Sequence, residues 1–281
     1  MTCTDFYASG EQFELCRCEQ CGFVFTQGAP VEAEIGRYYE TPDYISHSDT
    51  KKGAMNAIYH RVRQYMLKKK ARLAIRVSRC PSVGRLLDVG AGTGYFANEM
   101  SHRYWSVQAI EKNPQARDFA RGHFFLEIKP ESALAEFRAN SFDVITLWHV
   151  MEHLEHLNET WERLKELLTD KGALVVAVPN CLSYDARKYG SRWAAYDVPR
   201  HLWHFTPATM VRMAAKHGFV LAESHPMPFD AFYVSMLTEK QTGHSLSFLR
   251  GMWVGTIAWL SALVNKERSS SMIYVFRKKQ E

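Results

Sequence analysis

Short apolar runs and stretches of helical period take turns along most of this chain. Leu86 to Val89, Ser106 to Ile110, Phe124 to Ile128, Val144 to Leu147, Ala173 to Val178, Phe219 to Glu223 and Met272 to Arg277 read as strands. Between them, helical spacing resumes at Phe96 and runs to about His102, opens again at Asn113-Pro114, and continues over Leu157, Trp161, Leu164 and Leu168 to a stop at Lys171-Gly172. A further helix is capped by Thr206 and Pro207 and stopped by Gly218. This alternation predicts an α/β sheet of seven mostly parallel strands, the last an antiparallel hairpin strand, with helices on both faces. Ahead of it, Met55, Ile58, Tyr59, Val62, Tyr65 and Met66 recur at helical spacing up to Lys68-Lys69-Lys70, a long amphipathic helix whose lysines read as a solvated face.

The densest signal is RLLDVGAGTGYF, Arg85 to Phe96. A buried strand runs into three alternate glycines and then a helix start, so backbone can approach a ligand closely and the helix N–H groups face it. A nucleotide-like cofactor belongs there. A G-x-G-x-x-A frame over Gly92, Gly94 and Ala97 would suit NAD, but it forces Asp88 and Gly90 into the strand. Starting at Gly90 instead puts Tyr95 where the third glycine should pack.

The stretch resembles motif I, D-x-G-x-G-x-G, of the class I S-adenosylmethionine (SAM) methyltransferases. The resemblance implies a three-layer Rossmann-like fold in which Asp88, Gly90, Gly92 and Gly94, with Tyr95 and Phe96 behind them, hold the methionine end of SAM. It puts Glu111 on the ribose with Lys112 beside it, Glu131 and Ser132 at the adenine, and Leu147 along the cofactor. Tyr38 to Thr50 reads as a lid; related enzymes cover SAM with a tyrosine-bearing segment, nominating Tyr44 and His47, and an ordinary surface connection is the alternative.

A second block, SFDVITLWHVMEHL (Ser141 to Leu154), resembles the H-V-x-E-H-L ending of ubiquinone-type O-methyltransferases. His149 lies at the carboxyl end of that strand, where open α/β sheets bind ligands. His153 and His156 have no third metal ligand in register, so no metal site is expected there. After Asn180 comes a loop rich in bulky side chains. Its D-x-P-x-H-L-x-H-F segment borders the acceptor pocket in the family, nominating Trp193, Asp197, Arg200, His201 and His204; the competing reading is a self-packed loop held by Trp203 and Phe205. His149 and His201 are the candidate general bases.

Length and composition add limits. The 281 residues, 46% hydrophobic, can bury a full α/β core plus an appendage. The net charge of +5 is spread out, so nucleic acid is not implied. The opening MTCTDFYASGEQ lacks the basic and apolar regions of a signal peptide, so a cytoplasmic location is expected, with the six cysteines reduced. Residues 1–50 are expected to form a head and lid, and 51–281 the methyltransferase domain with an insertion at 229–265. Cys18 and Cys21 have zinc-knuckle spacing, and the head resembles the zinc-binding heads of some class I methyltransferases. Only Cys3 can stand for the first knuckle, and Cys16 lies too close to Cys18, so zinc is not favoured over a degenerate knuckle whose hairpin, Phe13–Leu15 against Phe23–Phe25, survives by packing.

Within the insertion, Gly251 to Val264 is uncharged but too short for a bilayer core of ~30 Å. Burial against the core or a homodimer partner is expected first. An interfacial helix receiving a lipid-like acceptor, with Arg250 and Lys266 flanking Trp253 and Trp259, is the other reading. The function expected is therefore SAM-dependent methyl transfer to a hydroxyl of a small-molecule or lipid-like acceptor, with N- or C-methylation open. An NAD-dependent oxidoreductase and a non-catalytic SAM-binding or partner-binding domain are the alternatives.

Overall fold

A computed structural model describes residues 1–39, 54–80, 83–243 and 246–280. The chain opens with three short strands, β1 (Thr2–Thr4), β2 (Gln12–Arg17) and β3 (Val24–Gln27), and a helical turn, α1 (Glu32–Ile35). Helix α2 (Ala54–Ser78) leads into β4 (Arg85–Val89), α3 (Tyr95–Ser101), β5 (Ser106–Ile110), α4 (Pro114–Phe124), β6 (Phe142–Trp148), α5 (Leu157–Leu167) and β7 (Leu168–Pro179). Then follow α6 (Tyr184–Tyr189), β8 (Trp203–His204), α7 (Pro207–Lys216), β9 (Phe219–Pro226), α8 (Asp230–Gln241), α9 (Ser247–Val264) and β10 (Ser271–Lys278).

The main sheet has the order β5-β4-β6-β7-β10-β9. β4 to β7 are parallel, and β10 runs antiparallel to both of its neighbours. Side chains alternate across each strand, and each face is covered. Leu87, Ile145, Leu147 and Val176 pack on one side with Trp161 and Leu164 of α5. Leu86, Val144, Val175 and Val275 pack on the other with Ala71, Ala74 and Val77 of α2 and with Phe96 and Met100 of α3. The caps read from sequence are present: the Asn113 side chain accepts from the Gln115 and Ala116 N–H groups, and Thr206 forms a capping box with Thr209.

Three expectations are corrected. Among the described residues the sheet has six strands, because the run Phe124 to Ile128 forms none: Phe124 ends α4, and only Lys129, just after the run, makes a bridge, to Ile110. Phe125 adopts a left-handed φ of 57°, and Pro130 has no N–H to extend the pairing. The helix read through Leu168 stops at Leu167. Leu168 already pairs with Phe142 in the sheet, and the register then shifts so that Val144 faces Ala173. Gly172 sits in that irregularity, where a Cβ would come within 2.7 Å of Leu168 Cγ. Finally, α2 continues past Lys70 to Ser78, and Lys70 is not on a solvated face. Its Nζ lies 4.4 Å from the centre of the Trp148 ring, and burial lowers its pKa against the opposing pull of Asp230 and Asp88.

The loop after Asn180 is more ordered than its composition suggests. It contains α6 and β8, and β8 extends the head sheet to the order β1-β2-β3-β8, through Val24 opposite His204 and Phe25 opposite Trp203. Trp193 is buried and donates to Asp185 Oδ2 at 2.8 Å. Arg200 fastens head to loop. Its side chain is 2% exposed, pairs with Asp5 at 2.9 Å and with Asp197 at 2.6 Å, and donates to the Tyr38 carbonyl at 2.9 Å. Asp5 in turn accepts from the Tyr7, Ala8 and Ser9 N–H groups, which fixes the first turn of the head.

Removing one partner of such a buried network leaves charge without compensation. Arg200→Leu should destabilise the protein by about 3–5 kcal/mol. Urea unfolding would measure it, and hydrogen exchange should show β1 to β3 opening first.

Candidate active site

The carboxyl edge of the parallel strands carries the glycine turn. All three glycines have left-handed φ, but their surroundings differ. A Cβ on Gly90 would meet Val150 Cγ2 at 2.4 Å, and one on Gly94 would meet the Ala120 Cβ at 3.0 Å, so both are needed for packing. Gly92, at φ +54°, faces open space, the side from which a ligand can come close. Glu111, at the end of β5, reaches back across the turn: Oε2 accepts from Gly92 N and Oε1 from Asn113 N, both at 2.8 Å. Asp88 is buried and accepts from Thr146 Oγ1 at 2.6 Å, and burial pushes its carboxyl up to about 7, partly offset by Thr146 and Lys70.

Beside the turn, β6 ends at a second cluster. His149 has φ 58°, and its ring lies between two carboxylates, with Nδ1 3.4 Å from Glu152 and Nε2 3.3 Å from Asp230. Burial works against its charge, but the two carboxylates together outweigh it and lift the imidazole to about 9. Glu152 is 1% exposed; burial opposes its ionisation, and His149 with the neighbouring imidazoles holds it low. The other two histidines have one nitrogen engaged. His153 Nδ1 lies 3.0 Å from the Arg200 carbonyl and His201 Nδ1 2.9 Å from the Ala195 carbonyl, contacts that place a proton on each Nδ1. Burial and then His201 push His153 down to about 4. Glu152, His153 and His201 offer ligand atoms within 4.8 Å of one another, a set that could hold a cation and that the sequence could not reveal, because His201 arrives from a distant loop.

The nominated residues divide. Glu131 and Ser132 form a turn next to β5, and Tyr95 starts α3 with the Arg63 guanidinium 4.0 Å above its ring. Lys112 is exposed beside Glu111. Phe96 and Leu147 place their side chains in the core instead of on an open site. Arg200 binds the head, and His204 does so too, through Thr26 Oγ1 at 3.0 Å. Tyr44 and His47 lie outside the described residues. Cys3 is buried in β1, where burial pushes its thiol up to about 11, and among the described residues no three of the head's cysteines converge as ligands. Sequence reasoning missed Thr146, Lys70 and Asp230. Only Thr146 left a trace, as a lone hydroxyl in an apolar strand facing Asp88 in the parallel register.

A family model described as a methyltransferase domain matches residues 58–224, more than half of the chain. The chain belongs to this SAM-dependent methyltransferase family. It is similar to the mitochondrial ubiquinone biosynthesis O-methyltransferase of Schizosaccharomyces pombe, at 28% identity over 36% of this chain and 40% of that one. A ubiquinone biosynthesis O-methyltransferase of Neisseria meningitidis is 29% identical over 52% of this chain and 67% of its own. The chain therefore spans less than half of the first relative's length and about two thirds of the second's. Among solved structures, a SAM-dependent methyltransferase from Archaeoglobus fulgidus superposes with a TM-score of 0.52 at 16% identity, over 84% of this chain and 99% of that one, which supports the fold. For a methyltransferase, the open side of Gly92 with Glu111 across from it fits the SAM cradle, since no side chain at that glycine blocks a bound ligand.

The raised pKa of His149 has a consequence for stability. Its folded value near 9 exceeds the unfolded 6.5, so its contribution is complete below about 6.5 and is lost as pH rises through about 9. His153 and His204, pushed down to about 4 and about 3, titrate below that window. Melting temperature should therefore fall from pH 6.5 to 9 in the wild type, and the fall should be smaller in His149→Gln.

Proposed function

We propose that this methyltransferase moves the methyl group of SAM to a hydroxyl oxygen of a small-molecule or lipid-like acceptor, with His201 Nε2 receiving the hydroxyl proton. The O-methyltransferase names of the curated relatives support a hydroxyl acceptor. The observation that carries the assignment of roles is the contrast between neighbouring imidazoles. His149 is clamped as a cation by Glu152 and Asp230, so it has no lone pair to offer at neutral pH. His201 has its Nδ1 on a carbonyl and its Nε2 free to accept.

SAM, when bound, supplies an electrophilic methyl on a sulfonium. The protein's part is to hold and orient both reactants, to exclude water, and to take one proton. In this reading the Gly90-to-Gly94 turn supports the methionine end, Glu111 exchanges its backbone partners for ribose hydroxyls, and Glu131 with Ser132 borders the adenine. A proton arriving on His201 Nε2 is met by Asp197, whose Oδ2 lies 3.9 Å away. His149, Glu152 and Asp230 fix the charge around the acceptor without changing their own protonation.

Gly92→Val should abolish SAM binding in titration calorimetry; a β-branched residue strained at φ +54° should also lower the melting temperature, and a far-UV circular dichroism spectrum like the wild type's would show that the fold survives. His201→Asn should keep SAM affinity yet lower the rate of S-adenosylhomocysteine formation by about 10²–10⁴ and flatten the acid limb of the pH profile. Hydroxyl-bearing metabolites and lipids from the host are the acceptors to screen. Wild-type turnover by His201→Asn across the pH range would remove His201 from the mechanism, and full SAM affinity in Gly92→Val would remove the turn.

A further inference from the structure

Helix α9 is packed with its small residues inward and its large apolar residues outward. Gly251, Val254, Gly255, Ala258 and Ala262 are buried, and the two glycines let α9 lie directly on α8. A Cβ on Gly251 would come within 2.6 Å of Met236 Cα, and one on Gly255 within 2.8 Å of Phe232 Cα. On the other side, Leu249 is 62% exposed, Trp253 69%, Leu260 48% and Val264 88%. Their spacing of four, seven and four residues aligns them in one stripe. An apolar stripe of this length on a water-facing helix marks a surface that something covers.

The surroundings of the stripe indicate what covers it. No acidic residue occurs in α9. Beside it lies a cleft of about 420 Å³ lined by Lys188, Arg192, Arg250, Trp253 and Ile257. Its one carboxylate, Glu239, is buried and paired with Arg250 at 3.1 Å. Among the described residues neither Lys188 nor Arg192 pairs with a carboxylate. A second copy meeting this face about a two-fold axis that passes by the cleft would bring these cations close to their own counterparts, and no acidic residue of α9 could offset them. An anionic bilayer supplies both the apolar medium and the missing negative charge. The helix is about 27 Å long at 1.5 Å per residue, and α8 covers one side of it, so it suits lying in the interface better than spanning.

We propose that α9 docks this protein on an anionic membrane, with the Leu249–Val264 stripe among the acyl chains and an anionic lipid headgroup in the Lys188/Arg192/Arg250 cleft. The proposal goes beyond the methyl-transfer reading and does not require it. It would nevertheless bring the active site to the membrane, since α8, on which α9 lies, begins with the Asp230 that pairs with His149.

Co-sedimentation of the full chain with vesicles of phosphatidylcholine alone, or with about one third phosphatidylglycerol, tests this directly. The wild type should partition onto the anionic vesicles, less so at high salt. Leu249→Glu with Leu260→Glu should weaken partition at least about tenfold, and Lys188→Glu with Arg192→Glu should remove the preference for anionic over neutral vesicles. These positions are exposed, so melting temperature and SAM affinity should stay at wild-type values, which separates failure here from failure of the cofactor site. Absence of wild-type binding, or binding undiminished by the Leu249/Leu260 pair, would overturn the proposal. So would a dimer in light scattering that the same pair dissolves, which would assign the stripe to a second copy.

Discussion

A guanidinium withdrawn from water must have its charge answered on every side, and the way Arg200 is answered sets much of this structure. Asp5 and the Tyr38 carbonyl come from the head, and Asp197 comes from its own loop. Satisfying one cation therefore fixes three stretches of chain relative to one another. The histidines on either side of it inherit that geometry. The Arg200 carbonyl holds His153 Nδ1, the next residue is His201, and Asp197 is shared between the guanidinium and His201. The head is thus tied to the loop that shapes the candidate acceptor side, through charge as well as through the strand pairing of β3 with β8.

The second constraint is the distribution of charge at the carboxyl edge of the sheet. Lys70 comes from α2, Asp88 from β4, His149 and Glu152 from the end of β6, and Asp230 from α8. None would be stable there alone. Burial pushes Asp88 up and Lys70 down, and the charge of each offsets part of that cost for the other, while mutual attraction raises His149 and lowers Glu152 and Asp230, favouring their ionised forms. Beside this group, His201 has its Nδ1 2.9 Å from the Ala195 carbonyl and its Nε2 3.9 Å from Asp197.

What the sequence made legible was whatever depends on near neighbours. Strands β4 and β5, the glycine turn, the Asn113 and Thr206 caps and the stop at Gly218 are decided within a few residues, by periodicity, a side-chain oxygen or a left-handed φ. What was missed depends on partners far along the chain. Leu168 fits the helical repeat of α5 but is claimed by Phe142 in the sheet, and Lys70 looks like one of three solvated lysines until Trp148 and two carboxylates close on it. The Phe124-to-Ile128 run has strand composition, yet Phe124 closes α4, Phe125 is left-handed, and only the following Lys129 makes a bridge. His201 was nominated with Arg200 from one loop pattern, but their different surroundings became visible only once the head was in place.

The position of the insertion follows from the direction of one strand. β10 runs antiparallel to β7 and β9, with Ser271 opposite Pro179 and Met272 opposite Pro226. Its first residues therefore lie at the carboxyl ends of the strands before it, the same edge that carries the glycine turn and His149. Any residues inserted between β9 and β10 must emerge at that edge, and α8 does so with Asp230 in its first turn. Had the last strand been parallel, a crossover would have returned the chain to the opposite edge. The antiparallel end of the sheet thus lets the α8–α9 pair reach the candidate site, and the outward face of that pair meets different surroundings from those of the site beneath it.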